Sequence, residues 1–348
     1  MVYAEKDGLK YWMEQKECSG KEGEFPRIPP LGYDNYTHCF FAIEKYMNDA
    51  IHIHVVTGAA GAGSGMLNDH GPGHISMVQE RAAALLGEKV QELKGYELFI
   101  LLLAIHFHDV GNIYGRDAHE EKIEEILDHL GDRLPLDSPV KRLVTEIAVA
   151  HGGNYNGDKD TLAYVSEREY IDGISIRAAL LASLLRFADE MADDKTRTSA
   201  LLLEMDAIPK ENMAFHEYSR CLEPPVIEGD TVRLIYNILS SLVHNKVTKL
   251  NEDVFIYDEI LSRIQKSLCE LDYCKRYSEG FIRISALSIE INVISENGMK
   301  KLFHDSFRVR ITGYPDKSNY NLISCSDSQP RATSGAKLLD LLGGEKHE

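Results

Sequence analysis

The sequence lacks several features that mark common classes of protein. No lysine- or arginine-rich run occurs in its 348 residues, and the formal net charge is -17, which weighs against broad binding to duplex DNA. No C-x-x-C pair occurs, so the cysteines indicate neither a zinc knuckle nor a disulfide framework. We interpret them as reduced, mostly structural thiols: Cys18, Cys39, Cys221, Cys269, Cys274 and Cys325.

Long apolar runs are also absent. The most apolar segment, Leu98 to Phe107, spans about ten residues, whereas a membrane helix needs about 20. The start of the chain has no basic region followed by an apolar run, so we expect no signal peptide, a cytoplasmic location and no membrane partner. The glycine-rich stretch 58–65 lacks the Gly-Lys-Ser/Thr ending of a P-loop, and we interpret it as a flexible lid or linker.

Hydrophobic periodicity predicts a mainly α protein with a C-terminal α/β appended domain. The spacing of Ile123, Ile126 and Leu130 is typical of an amphipathic helix. Alternating apolar residues in 231–238 and 281–294 favour strands. We predict four parts: an N-terminal helical and loop segment (1–65), a helical core (66–200), an α/β appended domain (205–316) and a polar tail (317–348).

Two local patterns lead to further expectations. Ser138 precedes Pro139, which is typical of an N-cap followed by proline at the first helical position. His52 and His54 alternate with apolar residues, which predicts the polar face of a short strand.

The main chemical signal is the adjacent pair His108 and Asp109 at the end of the apolar segment. Adjacent side chains diverge by about 100° on a helix, but at a helix end both can converge on one ion. An imidazole and a carboxylate together suit a divalent metal such as Mn, Fe, Co or Zn. Asp189 lies near the end of another apolar segment, where a carboxylate requires a metal, an arginine or a hydrogen-bond network. We expect His106 to point away from His108 and to be a satisfied core histidine.

These positions resemble the HD-domain superfamily of metal-dependent phosphohydrolases, whose pattern is a His, a His-Asp pair and a distant Asp on a helical bundle. Residues 104–112 (AIHFHDVGN) are similar to the family's LHDIGK segment, and residues 185–192 (LRFADEMA) to its LRLADxLD segment. The resemblance covers about residues 70–195 and implies an HD-type bundle over the predicted core. It implies these metal ligands: His74, His108, Asp109 and Asp189.

Two more histidines fit the two-metal branch of this superfamily. His119 and His151 stand where such members hold the second ion, bridged by the Asp of the His-Asp pair. The resemblance therefore implies two divalent ions, with Asp109, His119 and His151 in the catalytic machinery; one-ion and metal-free sites stay open. Mn, Fe, Mg, Co, Ni and Zn are not distinguished.

Cations near the site are candidates for phosphate contacts, because they would stabilise developing negative charge; the alternative for each is a surface or salt-bridging role. These are Arg116, Lys122 and Arg186. His70 competes with His74 for the first ligand position and is otherwise expected to line the site. Asn112 departs from the family pattern, which often has Lys there, so a lysine role is not carried over. The stretch 313–315 (Gly-Tyr-Pro) resembles a cyclic-dinucleotide signature but lies far beyond the core, and we interpret it as a turn.

The predicted function is hydrolysis of a phosphoester or phosphoanhydride bond in a nucleotide by metal-activated water. The acidic charge favours a small nucleotide over a long polymer. One alternative is an HD nuclease that acts on short single-stranded DNA or RNA. A second is a nucleotide- or partner-binding sensor with little turnover. A homo-oligomer or a partner protein is left open.

Overall fold

The computed structural model describes residues 8–55, 70–115, 119–152, 154, 157–311, 322–323 and 325–344. This part of the chain is mainly α with an appended α/β region, which confirms the predicted fold class. The predicted lid or linker 58–65 and the turn 313–315 lie outside the described residues. The chain divides into two compact units. Among the described residues, the first runs to Ala192 and includes Cys274–Ile282, and the second contains Asp193–Tyr273 and the residues from Arg283.

The first unit is built mainly from helices. Its α-helices are α1 (Leu9–Cys18), α2 (Tyr36–Met47), α3 (Pro72–Leu86), α4 (Gly95–Phe107), α5 (Ile123–Leu130), α6 (Ser138–Val149) and α7 (Ala178–Glu190). Strands β1 (Glu169–Ile171) and β2 (Ile174–Ile176) form an antiparallel pair before α7. Short 3-10 turns include Val110–Tyr114, His119–Lys122 and Thr161–Tyr164.

Helix α4 is the centre of the first unit. All of its residues are buried, and it packs against α1, α2, α3, α6 and α7. A helix that is covered on every side needs no polar face, which explains the unbroken apolar run. Of the residues that the structure describes, Gly95–Tyr114 is the one helical stretch long and apolar enough to cross a membrane, and it is almost wholly buried inside the fold.

A buried ion pair fixes the start of α4. The Glu97 carboxylate accepts a hydrogen bond from the backbone N–H of Lys94 over 2.8 Å, which caps the first turn. The Arg177 guanidinium donates to both oxygens of Glu97, over 2.8 and 2.6 Å. Arg177 immediately precedes α7, so this pair ties the beginnings of α4 and α7 together.

The second unit contains a mixed sheet, one long helix and shorter helices. Its elements are α8 (Ala200–Glu204), α9 (Met213–Cys221), β3 (Val226–Glu228), β4 (Thr231–Leu239), α10 (Ser240–His244), β5 (Val247–Lys249), β6 (Glu252–Val254), most of α11 (Ile256–Tyr277), β7 (Ala286–Ile294), β8 (Lys301–Arg310) and α12 (Gly335–Gly344). The sheet order is β3-β4-β7-β8, with β4 and β7 parallel and the outer pairs antiparallel. Strands β5 and β6 form a separate hairpin. Helix α12 lies within the segment expected as a polar tail.

Two local predictions were wrong. The N-cap of α6 is Asp137 and not Ser138, because the Asp137 carboxylate accepts a hydrogen bond from the backbone N–H of Val140 over 3.1 Å. His52 ends a π-helical segment, Asn48–His52, and is buried, so it does not lie on the polar face of a strand.

Burial of His52 is explained by its partner, His106. His52 Nε2 lies 3.1 Å from His106 Nδ1, and Gln79 Nε2 lies 3.2 Å from His106 Nε2. Each buried ring therefore has a polar neighbour, as burial of a polar group requires. His106 is the satisfied core histidine that the sequence indicated.

Candidate metal centre

His108 and Asp109 lie where α4 ends. The N–H of His108 still donates to the carbonyl of Ala104, but the N–H of Asn112 donates to the carbonyl of Asp109, in the 3-10 turn Val110–Tyr114. The change occurs at Asp109, whose φ of -108° and ψ of 4° depart from α-helical values. The two side chains consequently converge, and His108 Nε2 lies 3.4 Å from Asp109 Oδ2.

Two further helices bring ligand atoms to the same side of Asp109. His74 lies in α3, and Asp189 lies in the last turn of α7. His74 Nε2 is 3.1 Å from Asp189 Oδ1 and 3.4 Å from Asp109 Oδ2. His108 Nε2 is 3.3 Å from His74 Nε2 and 3.6 Å from Asp189 Oδ1. We call His74, His108, Asp189 and Oδ2 of Asp109 the first half-site.

The other oxygen of Asp109 faces a second pair of imidazoles. Asp109 Oδ1 is 3.3 Å from His119 Nε2 and 3.7 Å from His151 Nε2. His119 begins the 3-10 turn His119–Lys122, and His151 follows the end of α6. We call His119, His151 and Oδ1 of Asp109 the second half-site.

Hydrogen bonds donated by Nδ1 orient three of these rings. His108 Nδ1 lies 2.7 Å from the carbonyl oxygen of Ile105, and His151 Nδ1 lies 2.5 Å from that of Ala148. A carbonyl only accepts, so each Nδ1 carries a proton, and Nε2 is the ring atom that can bind a metal once it is deprotonated. Glu120 Oε2, 3.2 Å from His119 Nδ1, has the same effect on the third ring.

Burial and charge act in opposite directions on the ligands. Burial favours the neutral forms of Asp109 and Asp189, but the neighbouring histidines, chiefly His108, hold the pKa of both carboxyls well below its usual range. Burial also opposes the charge on His108, yet the two carboxylates raise its pKa to about 10. For His151, burial and the charge of His108 lower the pKa to about 4. The carboxylates are therefore ionised, and His151 is neutral near pH 7.

This set of donors fits a divalent metal ion. In the metal-free protein the proton on His108 offsets part of the negative charge of the two carboxylates. A divalent cation held by the carboxylate oxygens and the Nε2 atoms would replace that proton and supply more positive charge. A mixture of imidazole and carboxylate suits borderline ions such as Mn, Fe, Co and Zn. Among the described residues, three groups have ligand atoms within 4.8 Å of one another: His70, His74 and Asp109; His74, His108 and Asp189; and His108, Asp109 and His151.

Two of the predicted substrate contacts lie in different surroundings. His70 Nδ1 is 2.7 Å from Asp109 Oδ2, so this ring adjoins the first half-site. Lys122 lies in the turn that begins with His119, is exposed, and has its Nζ 3.0 Å from Glu125 Oε2. Arg116 lies outside the described residues.

Arg186, the remaining predicted contact, is buried behind the second half-site. Its Nη1 donates to the carbonyl oxygen of Gly152 over 2.9 Å and to Thr161 Oγ1 over 2.6 Å. The Thr161 hydroxyl in turn donates to the carbonyl oxygen of Ala150 over 2.8 Å. These bonds hold the backbone on both sides of His151.

Sequence reasoning did not assign a role to Asn112, Gly111 or Thr161. Asn112 is fully buried, and its Nδ2 donates to Asp109 Oδ1 over 3.0 Å. A Cβ atom at Gly111 would lie 1.8 Å from the carbonyl oxygen of His119, so only glycine lets the two 3-10 turns touch. The departure from lysine at Asn112 was a usable signal, whereas nothing in the local sequence points to Thr161.

Comparison with known proteins yields one family match. The sequence model of HD-CE matches residues 65–266, which is more than half of the chain. No curated protein and no solved structure matches. The matched range contains every residue of both half-sites, and the buried His/Asp groups are compatible with an HD metal site. The chain therefore belongs to the HD-CE family, an HD-domain-related family that indicates a metal-dependent hydrolase of the HD type.

Proposed function

We propose that this protein hydrolyses a phosphoester or phosphoanhydride bond of a small nucleotide, using two divalent metal ions. One observation carries the proposal: Oδ2 of Asp109 lies 3.4 Å from His74 Nε2, and Oδ1 lies 3.3 Å from His119 Nε2. A carboxylate with each oxygen turned toward a separate set of imidazoles is suited to bridge two ions. Membership of the HD-CE family supports metal-dependent hydrolysis.

The ligands divide between the two ions. His74, His108 and Asp189 would hold the first, His119 and His151 the second, and Asp109 both. Bound divalent ions lower the pKa of a water molecule toward neutrality and offset negative charge on phosphoryl oxygens.

The chain's own contribution is to position these groups in advance. His74 and His108 are fully buried, and Asp109 is 5% exposed, so packing restrains their side chains. The carbonyls of Ile105 and Ala148 hold protons on Nδ1, which keeps Nε2 of His108 and His151 available. A restrained ligand set does not need to reorganise when the substrate reacts.

Charge supports a small substrate. The chain carries 55 acidic and 38 basic residues, so a long phosphate backbone would meet net repulsion, whereas one nucleotide needs only local cations. We propose that His70, Lys122 and Arg116 supply such contacts. Arg186 remains a candidate, although its Nη1 already donates to Gly152 and Thr161.

The test is a hydrolysis screen with added metals. The wild type, the double variant His108→Ala/Asp109→Ala and the control His129→Ala would each be incubated with Mn, Mg, Fe, Co, Ni or Zn. His129 is an exposed residue of α5, so its loss controls for removal of a histidine. The substrates are bis-p-nitrophenyl phosphate, nucleoside mono- and triphosphates, cyclic nucleotides, and short single-stranded DNA and RNA.

We expect metal-dependent turnover of a nucleotide by the wild type and by His129→Ala, and none by the double variant. A preference for oligonucleotides would indicate that the protein is a nuclease and not a nucleotidase. If the folded, metal-loaded wild type shows no turnover, the proposed enzymatic activity is refuted. That result would favour a nucleotide- or partner-binding sensor.

A further inference from the structure

The side chain of Asn112 is a buried amide directly beside the second half-site. It is fully buried, and its Nδ2 donates to Asp109 Oδ1 over 3.0 Å. This oxygen is the one that faces His119 and His151. The amide therefore contacts the ligand atom of Asp109 that serves the second half-site.

The backbone dictates this contact. Residues Val110–Tyr114 form a 3-10 turn, and the N–H of Asn112 donates to the carbonyl of Asp109 over 3.0 Å. In a 3-10 helix, side chains three positions apart eclipse one another. The turn that follows the His-Asp pair thus places Asn112 over Asp109.

The chemistry of the pair decides which way the amide points. An ionised carboxylate only accepts hydrogen bonds, so the NH₂ group of Asn112 must face Asp109. The amide oxygen then points elsewhere, and Asn112 Oδ1 is buried with no hydrogen-bond partner in the part of the chain that the structure describes. A buried acceptor without a donor is costly, so this atom calls for a donor such as a water molecule.

We propose that Asn112 is a positioning residue for the second ion. Its amide fixes Oδ1 of Asp109 toward His119 and His151, and its free Oδ1 accepts a hydrogen bond from a water molecule in the second half-site. Because the amide is neutral, it orients the carboxylate without cancelling the negative charge that attracts a cation. The inference rests on the proposed two-ion function, and it concerns ion binding and not turnover.

Four proteins test this role: wild type, Asn112→Ala, Asn112→Ser and the control Asn292→Ala. Serine keeps a hydroxyl donor, which a bridging water molecule can connect to Asp109. Asn292 is a matched control because it is also a buried amide, 4% exposed, that donates to a side chain, Asn237 Oδ1, over 3.0 Å in the second unit. Mn²⁺ alone is the probe. Calorimetric titration measures its binding, and electron paramagnetic resonance distinguishes single Mn²⁺ ions from coupled pairs.

We expect two Mn²⁺ per chain in the wild type and in Asn292→Ala. Loss of an outer-shell partner of a ligand commonly weakens metal affinity about 10–100-fold. In Asn112→Ala we therefore expect the second ion to bind at least about tenfold more weakly than in the wild type. The affinity for the first ion should stay within about threefold of the wild-type value, and the signal of coupled Mn²⁺ pairs should vanish at low Mn²⁺ concentration. Asn112→Ser should retain more second-ion affinity than Asn112→Ala.

Three outcomes would overturn the proposal: unchanged binding of both ions in Asn112→Ala and Asn112→Ser, equal weakening of both ions, or a wild type that binds fewer than two ions. If Asn112→Ala does not fold, the comparison of Asn112→Ser with wild type decides, since the same selective loss is expected there at smaller size. A selective loss of the second ion in a protein with no hydrolytic activity would leave this inference standing while the proposed function fails.

Discussion

The backbone at Gly111 approaches the carbonyl oxygen of His119 so closely that a Cβ atom at residue 111 would lie 1.8 Å from it. Gly111 belongs to the turn that follows Asp109, and His119 begins the turn that carries a ligand of the second half-site. The contact between these two turns sets the distance between Asp109 and His119. A side chain at residue 111 would force them apart.

Gly111→Ala should consequently destabilise the protein and weaken the second half-site. Overpacking of this kind costs about 1–3 kcal/mol in the free energy of unfolding. We also expect the second Mn²⁺ to bind at least about tenfold more weakly, because the distance between Asp109 and His119 changes. Urea denaturation and calorimetric titration measure the two effects.

Gly343→Ala is the matched control for the Gly111 variant. Gly343 lies in α12, and nothing is within 4 Å of a Cβ atom built there. Alanine in a helix should stabilise by up to about 1 kcal/mol, with unchanged metal binding. Equal stability of Gly111→Ala and the wild type would contradict the close contact.

The Thr161 hydroxyl connects Arg186 to the segment that carries His151. It accepts from Arg186 Nη1 over 2.6 Å and donates to the carbonyl oxygen of Ala150 over 2.8 Å. Thr161→Val keeps the shape but leaves both partners short of a hydrogen bond. We expect a loss of about 1–3 kcal/mol in unfolding free energy and about tenfold weaker binding of the second ion.

Ser183→Ala serves as the control for Thr161→Val. Ser183 is a fully buried hydroxyl of α7 that donates to the carbonyl oxygen of Leu180, within the same helix. Its loss should leave ion binding unchanged. If Thr161→Val binds both ions like the wild type, the hydrogen bonds around Thr161 do not position His151, and Arg186 is better explained as a substrate contact.

His52 should make the stability of the metal-free protein depend on pH. Burial, with the charges of His106 and His108, lowers the pKa of His52 to about 3, whereas an unfolded histidine has a pKa of about 6.5. The folded state therefore binds fewer protons than the unfolded state between these values. The contribution of His52 to the free energy of unfolding is therefore fully present above pH 6.5 and declines as the pH falls toward 3.

The expected loss from His52 is about 2 kcal/mol between pH 7 and pH 5. In His52→Gln, urea denaturation with a chelator present should show a shallower decline of unfolding free energy over this range. Replacement of the exposed His129 by Gln should keep the wild-type slope. Parallel curves for the wild type and His52→Gln would show that His52 is not a buried neutral ring.

The Glu97–Arg177 pair should stabilise the first unit without affecting the metal centre. Glu97 is 1% exposed, and Arg177 lowers its pKa despite burial. Removal of one member of a buried pair leaves the other charge without its partner and costs about 3–5 kcal/mol. Glu97→Ala should show this loss with unchanged Mn²⁺ affinity, and adding Arg177→Ala should cost less than the sum of the single losses.

An exposed ion pair provides the comparison for Glu97. Both Arg27 and Glu22 are about nine-tenths exposed, and Arg27 Nη2 lies 3.2 Å from Glu22 Oε1. Glu22→Ala should leave the unfolding free energy unchanged, because solvent screens such pairs. A similar small effect for Glu97→Ala would mean that the buried pair does not anchor α4.

Much of the fold and of the candidate site could be predicted from the sequence because the responsible signals are local. An apolar run such as Leu98–Phe107 has to be covered on all sides, and it forms the central helix α4. The end of that run marks where His108 and Asp109 leave the helix. The order and context of His74, the His-Asp pair and Asp189 pointed to the HD type of site, which the family match supports.

Other features depend on which side chains meet across different elements, and spacing along the chain does not encode those distances. Alternation around His52 was consistent with a strand, but a buried partner, His106, overrides this local pattern. Likewise Ser138 and Asp137 are both good N-caps, and the backbone geometry at the start of α6 selects Asp137.

The sequence by itself determined the helical core, the residue types available as ligands and their order along the chain, since these follow from periodicity and composition. Only the tertiary structure decided that one oxygen of Asp109 faces His74 and the other faces His119. It also decided that Asn112 donates to Oδ1 of Asp109 and that Thr161 donates to the carbonyl oxygen of Ala150, next to His151. The physical reason is that hydrogen bonds and metal sites require distances near 3 Å between groups that are remote in sequence, and packing alone sets those distances.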